Sequence, residues 1–279
     1  MSQVTIIITV FNNSKFLRRC LESINLQSYK VSEIILIDDG SKDNEAEKMI
    51  KKYVLKKTKF QFYKTKNQGP SKARNFGLNK VKSKYFIFFD PDDVMLKNFI
   101  ENKIKIFNKK KDPKLIGVYS NAIFKTDKTE RKFKYKKNFA DENNIDSIGY
   151  ENGISGSLPT YLFQKDKISN FFLDNNLKIN EDFDFIIRLL KNKKKVFGSG
   201  KYDSIIYLEK NSLTRKKSNK FLIYKNQIKF LNKAKKNKYF SETELTKREK
   251  YKDRLMALNS IKNYELVNFI KYLGKYLTN

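Results

Sequence analysis

Residues Val4–Val10 read VTIIITV, an unbroken run of β-branched side chains. Such a segment offers no polar side to water. As a strand it must be covered on both faces, as happens when a parallel sheet lies between layers of helix. The residues that follow supply those helices. Phe16, Leu17, Cys20, Leu21 and Ile24 recur at helical spacing, with Ser14 the expected N-cap. Ile34–Ile37 reads as a second buried strand, and a helix from about Asn44 to Lys56 carries Met49, Ile50, Tyr53 and Val54 on its apolar side. Phe60–Tyr63 is a third strand, Ser71–Val81 a helix and Tyr85–Phe89 a fourth strand. This alternation predicts an α/β fold, a mainly parallel mixed sheet flanked by helices.

Further on, Leu96–Asn108 reads as a helix, Leu115–Phe124 as a strand and Asp182–Leu190 as a helix, while Lys125–Ile154 gives no assignable pattern. From about Lys216 the strand signals cease and long basic helices follow, with Ile261, Tyr264, Val267, Ile270, Leu273 and Leu277 forming a stripe at helical spacing. The 279 residues are therefore expected to form a catalytic domain over 1–215 and a basic helical region over 216–279. Within the first, a nucleotide-binding half is expected over about 1–95 and an acceptor-binding half over about 96–215.

Composition removes several kinds of chemistry. The chain has no histidine, which excludes Ser–His and Cys–His nucleophilic pairs, zinc–histidine sites and histidine bases. Its one cysteine, Cys20, lies on an apolar helix face and reads as core. Acid–base and metal chemistry must then run on carboxylates. The formal net charge of +30, mostly lysine, suits anionic partners or reflects only a lysine-rich composition. No leader pattern and no apolar stretch of membrane-spanning length is evident, so a cytoplasmic location is expected.

Three apolar strands end in polar sequence: Phe11-Asn12-Asn13, Asp38-Asp39-Gly40-Ser41 and Asp90-Pro91-Asp92-Asp93. Ligands of open α/β sheets bind outside the carboxyl ends of the strands, so these ends mark a candidate site. Carboxylates crowded at a buried strand end repel one another and suit a hard cation such as Mg²⁺ or Mn²⁺. The plainer alternative is that Asp92 or Asp93 caps the next helix. Asp38–Asp43 suits hydrogen bonding to a nucleobase or ribose, or else is an ordinary turn with Asp43 as a cap. In Asn67–Asn75, a glycine-bearing loop runs into a helix start carrying Lys72 and Arg74, a pattern that attracts phosphate or forms merely an exposed first turn.

Taken in order, Val4–Asn12, Asp38–Asp43, Asn67–Asn75, Asp90–Asp93 and Glu181-Asp182 resemble the family 2 glycosyltransferases of the GT-A fold, over roughly residues 3–215. The resemblance implies a metal-dependent, inverting transferase that moves sugar from a nucleotide-sugar, UDP-linked by expectation, to a glycan or lipid-linked acceptor in bacterial surface polysaccharide synthesis. By the same resemblance Thr9 and Phe11 line the base pocket, Asp39 bonds the base, and Arg74 lies near the donor phosphates or sugar. Asp90 approaches the ribose and donor sugar, Asp92 ligates Mn²⁺ or Mg²⁺, and Asp182 is the catalytic base. Glu181 is expected to point to a different side of the helix start from Asp182.

Thr9 stands where the family carries proline, and no histidine follows the Glu-Asp motif. Glu209, Lys210 and Arg215 are the candidates for that histidine's place. A nucleotidyltransferase would need a glycine-rich basic loop after the first strand, which is missing. A basic nucleic-acid-binding protein is the non-enzymatic alternative, disfavoured because the aromatic residues of the C-terminal third keep helical spacing. The basic C-terminal helices are expected to dock peripherally on the inner face of an anionic membrane, to pack on the catalytic domain, or to mediate homo-oligomers.

Overall fold

The structure is a computed structural model that describes residues 4–52, 58–150, 153–168, 170–209, 212, 215, 219–262 and 266–278, the side chains of 51–52, 258–270 and 278 excepted. Two compact units result, Met1–Glu209 and Lys210–Asn279. The expected boundary near 215 falls in a stretch, 210–218, of which only 212 and 215 are described.

The first unit begins with β1 (Val4–Val10), a short 3₁₀ turn (Ser14–Phe16) and α1 (Leu17–Asn25). It continues through β2 (Glu33–Asp38), α2 (Glu45–Lys52), β3 (Lys59–Lys64), α3 (Pro70–Lys80), β4 (Tyr85–Phe89), β5 (Val94–Met95), α4 (Phe99–Lys110) and β6 (Leu115–Lys125). Then come β7 (Glu130–Phe133), β8 (Phe139–Ala140), β9 (Tyr161–Gln164), α5 (Glu181–Lys191) and β10 (Lys195–Tyr207). All ten strands join one sheet in the order β3-β2-β1-β4-β9-β6-β10-β5, with β7 on β6 and β8 on β10.

Strands β3, β2, β1 and β4 are mutually parallel. β9 runs antiparallel to both β4 and β6, and β10 runs parallel to β6. The carboxyl ends of β1 through β4, β6 and β10, and the amino end of β9, therefore share one edge of the sheet.

Period-two alternation explains the unbroken apolar run of β1. Val4, Ile6, Ile8 and Val10 join a core with Leu17, Cys20, Leu21 and Ile24 of α1, while Ile7 faces α3 on the other side. A Cβ on Gly77 would lie 2.5 Å from Ile7 Cγ2 and 2.9 Å from Ile37 Cδ1, so glycine there lets α3 sit directly on the sheet. Each fully buried isoleucine of β1 contributes about 1.5–3 kcal/mol relative to exposure.

Several expectations need correction. Ser14 is not an N-cap but the buried first residue of the 3₁₀ turn that precedes α1. The helix expected from Leu96 starts at Phe99, with Asn98 at its N-cap, so neither Asp92 nor Asp93 caps it. Asp43 lies one residue outside the cap of α2 and accepts the Glu45 N–H at 3.0 Å. The unassigned stretch 125–154 holds β7, β8 and a 3₁₀ turn (Glu142–Ser147) capped by Asp141. Tyr53 and Val54 lie outside the described residues.

The second unit contains α6 (Lys220–Lys236), α7 (Glu242–Lys262) and α8 (Leu266–Thr278). Tyr224, Ala257 and Tyr272 form its small core, with Leu273 packed against them. Leu277 of the expected stripe is exposed, and the side chains of Ile261, Tyr264, Val267 and Ile270 lie outside the described ones. Among the described residues no helix is long and apolar enough to cross a membrane.

Candidate active site

The loops after β1, β2 and β3 are tied together by the polar residues that the strand ends supply. Asn12, in a left-handed conformation (φ 51°), donates its N–H to Ser41 Oγ at 2.9 Å and accepts the Lys42 N–H at 3.0 Å. Asp38 accepts the Ser41 N–H at 2.8 Å, closing a turn whose Gly40 has φ 81°. Asp39 is buried. Its carboxylate accepts the N–H groups of Gln68 (3.0 Å) and Gly69 (2.8 Å) and the Thr65 hydroxyl (3.2 Å). It thus fixes the loop leading into α3. Thr9 is half-buried in β1, and Phe11 at that strand's end is 48% exposed, an apolar ring open to solvent beside this loop cluster.

Helix α3 begins at Pro70 after Gly69 (φ 93°), a start set by proline at the first helical position. Of its two early cations, Lys72 is exposed and Arg74 turns inward. Arg74 donates to Asp90 Oδ1 at 2.8 Å and to Glu181 Oε1 at 2.8 Å, and lies 3.5 Å from Asp182 Oδ1. Burial works against its charge, but Asp90, Asp182 and Glu181 outweigh that and hold it protonated above its ordinary range.

Two further α3 side chains grip the segment before α5. Asn75 donates to Leu173 O at 2.8 Å and to Asn175 Oδ1 at 3.0 Å, and accepts the Leu173 N–H at 2.8 Å. Ser71 donates to Leu177 O at 3.0 Å. The motif around Arg74 therefore fastens the start of α5 to the end of β4.

At that start, Asp182 accepts the Leu158 N–H through Oδ2 at 3.2 Å, while its buried Oδ1 has no hydrogen-bond partner among the described residues. Burial, then the adjacent Glu181 charge, push the Asp182 carboxyl up to about 8, with Arg74 pulling the other way. Burial likewise raises Glu181, again opposed by Arg74. Glu181 does not point away from Asp182 as expected; both carboxylates face the same guanidinium.

The Asp90–Asp93 turn is held from two sides. Asp93, buried, accepts the Tyr207 N–H at 2.9 Å, which joins the end of β10 to this turn. Arg19 of α1 donates to the Asp92 backbone carbonyl. Its guanidinium lies 3.5 Å from the centre of the Tyr207 ring and 3.9 Å from Glu209 Oε1. Burial, then Asp90 and Glu209, raise the Asp92 carboxyl to about 6, with Arg19 acting in the opposite sense.

Among the described residues no group of three or more Asp, Glu or Cys side chains is spaced to hold a metal ion. Mg²⁺ and Mn²⁺ do not require one, because they take a carboxylate or two and fill their other positions with water and substrate phosphate. A partly desolvated Asp92, destabilised as an anion by two neighbouring carboxylates, has the chemistry of such a ligand. Glu209 acts electrostatically on the same carboxyl. Lys210 lies outside the described residues.

Of the expected site residues, Asp90, Arg74 and Asp182 meet in one cluster, Asp92 lies on the adjoining turn, and Thr9, Phe11 and Asp39 belong to the neighbouring β1 and β2 ends. Sequence reasoning missed Arg19, Tyr207 and the Leu158 N–H. The only signal for Arg19 was its position between Phe16 and Cys20 of the apolar stripe.

The model for glycosyl transferase family 2 matches residues 5–150, just over half of the chain. The chain belongs to that family. A glycosyltransferase of Rickettsia prowazekii (strain Madrid E) is 33% identical over 196 residues, which is 67% of this chain and 58% of the relative. The minor teichoic acid biosynthesis protein GgaB of Bacillus subtilis is 27% identical over 194 residues, or 68% of this chain and 21% of that protein. The chain thus spans less than two thirds of the length of these curated relatives. Among solved structures, S. aureus TarS 1-349 in complex with UDP-GlcNAc aligns with a TM-score of 0.65 at 16% identity, covering 98% of this chain and 89% of that one. The same protein in complex with UDP gives 0.62 at 17%. These likenesses establish the fold, a GT-A-type α/β architecture.

Proposed function

We propose that the first unit catalyses transfer of a sugar from a UDP-sugar to a hydroxyl of a glycan or lipid-linked acceptor, with inversion and with help from a divalent cation, in cell-surface polysaccharide synthesis. The observation that carries the reading is the cluster in which Arg74 gathers Asp90, Glu181 and Asp182 at the carboxyl edge of the sheet, leaving Asp182 Oδ1 without a donor. Family membership, the teichoic acid relative and the UDP and UDP-GlcNAc complexes of TarS support the substrate class.

In this reading Phe11 and Thr9 bound the base, and Asp39 shapes the base-side loop while keeping a free lone pair for it. Asp90, fixed by Arg74, faces the ribose and donor sugar. Asp92, with Glu209, would hold Mn²⁺ or Mg²⁺, which when bound neutralises charge on the departing diphosphate. Asp182 takes the proton of the acceptor hydroxyl as that oxygen attacks the anomeric carbon and the bond to UDP breaks. A single base opposite the leaving group inverts the centre. A carboxyl near pH 8 suits proton abstraction at neutral pH better than an ordinary one, provided it is ionised when the acceptor arrives.

The second unit is proposed to meet an anionic membrane surface, where a lipid-linked acceptor resides. Lys247, Lys250 and Arg254 share one face of α7 with Tyr251, beside Tyr276 of α8. Screening UDP-sugars by thermal shift with Mn²⁺, then following UDP release with glycan acceptors, tests the main reading. A protein stabilised by no UDP-sugar and releasing no UDP would overturn it.

A further inference from the structure

The Asp90–Asp93 turn presents a difficulty for any diphosphate that approaches it. Asp90, Asp92 and Asp93 stand together, and Glu209 adds a fourth carboxyl group. Arg74, which the family resemblance places near the donor phosphates or sugar, is buried and already shared among three carboxylates. Lys72 at the start of the same helix points to solvent. Beyond the divalent cation proposed for Asp92, the donor's two phosphates need a cation from the protein itself.

We propose that Arg19 is that cation, so that α1, together with Tyr207, forms a diphosphate-recognising subsite; this deepens the donor reading above and rests on it. Three features of Arg19 carry the assignment. Its guanidinium is already positioned. One terminal nitrogen donates to the Asp92 carbonyl, and the group lies 3.5 Å from the Tyr207 ring centre and 5.2 Å from that of Phe16. A guanidinium held in place by aromatic rings loses little further freedom on binding. Its hydrogen-bonding capacity is also largely unspent. A guanidinium carries five N–H donors in a planar fork. Among the described residues the Asp92 carbonyl is its one hydrogen-bond acceptor, Glu209 stands off at 3.9 Å, and the buried Nε has no acceptor. Finally, the group remains partly open, with its side chain 34% exposed beside the turn that carries Asp92.

A planar fork with idle donors, next to carboxylates that repel phosphate, is the complement of a phosphate oxygen pair. Because Arg19 stacks on Tyr207, whose N–H is bonded to Asp93, the same contact holds the end of β10 over the site. Arg19 is on this account a binding residue rather than a catalytic one. It recognises phosphate and leaves the base untouched.

The test is equilibrium binding by calorimetry of UDP, UMP and uridine to the full chain in the presence of chelator, so that the readout is independent of metal and of turnover. Arg19→Ala is expected to weaken UDP by about 10- to 100-fold, the scale of a lost charge-assisted bond pair. UMP should weaken less, and uridine should be unchanged. Arg19→Lys, which keeps the charge without the fork, should recover only part of the loss. Tyr207→Leu, which removes the ring but not its backbone N–H, should weaken UDP several-fold and spare uridine. If UDP and uridine weaken together in Arg19→Ala, the residue only braces the loop and the proposal falls. UDP affinity unchanged in both Arg19→Ala and Tyr207→Leu sinks it as well. Absence of UDP binding by the unaltered protein in chelator and with Mn²⁺ alike would instead overturn the donor reading, and this subsite with it; binding seen with Mn²⁺ alone moves the same comparison of variants into Mn²⁺.

Discussion

Replacing Asp182 with Asn tests the assignment of the base most directly. Asparagine preserves the shape and keeps an oxygen for the Leu158 N–H, but it cannot accept a proton from a hydroxyl. Loss of a positioned base costs roughly 10²–10⁴-fold in rate, so Asp182→Asn is expected to lower transfer by that factor while UDP affinity stays near wild type. The pH dependence is more specific. With its carboxyl at about 8, Asp182 is ionised in roughly one molecule in ten at pH 7. In the intact protein kcat/KM should therefore rise about tenfold per unit through pH 6–7 and level off above about 8. The limb should be absent in Asp182→Asn. Glu181→Gln removes the neighbouring charge that raises Asp182, after burial the largest cause, and should move the limb to lower pH.

Stability gives an independent reading of the same group. The folded protein holds a proton on Asp182 between about pH 4 and 8 that the unfolded chain, with an ordinary carboxyl near 3.9, releases. The native state then binds more protons, so this group's contribution falls as pH rises through that window. It is constant below the window and constant again above it. Melting temperature against pH should decline less steeply from 4 to 8 in Asp182→Asn than in wild type. Near wild-type transfer in Asp182→Asn, or an unchanged rate limb, would refute the assignment. Glu209 would then be the carboxylate to examine.

Chelation with EDTA should abolish UDP release and Mn²⁺ or Mg²⁺ should restore it, with Asp92→Ala losing the metal-dependent part of UDP affinity; full activity in chelator would remove the metal from the mechanism. Gly77→Ala should destabilise the first unit by about 1–3 kcal/mol in denaturant titration, since its Cβ would meet Ile7 and Ile37 at 2.5 and 2.9 Å, and an unchanged midpoint would show that α3 can shift outward. The full chain should co-sediment with anionic vesicles more than with neutral ones, an advantage weakened by salt; equal recovery on both would discard the membrane contact in favour of packing or self-association.

The elements of the nucleotide-side half were legible because their signals are local. A β-branched run such as Val4–Val10 or an apolar strand such as Tyr85–Phe89 declares burial on both faces, and the polar residues that stop each strand declare the edge where a ligand sits. The parallel neighbours β3, β2, β1 and β4 then bring those ends together almost by necessity. The rest of the sheet was not legible. β9 inserts between β4 and β6, and β7 is a short, exposed, lysine-bearing strand with no apolar alternation to read. Nor could the sequence say what its motif residues touch. Arg74 meets Glu181 across 107 positions, and Arg19 meets Asp92 across 73. The family resemblance gave Asp182 as the base and placed Arg74 near the donor phosphates or sugar. Only the tertiary structure turned Arg74 inward onto three carboxylates and left Arg19 with idle donors. The reason is physical: a buried charge must find its partners wherever the packed loops bring them, and that is a property of the assembled edge, not of any one segment.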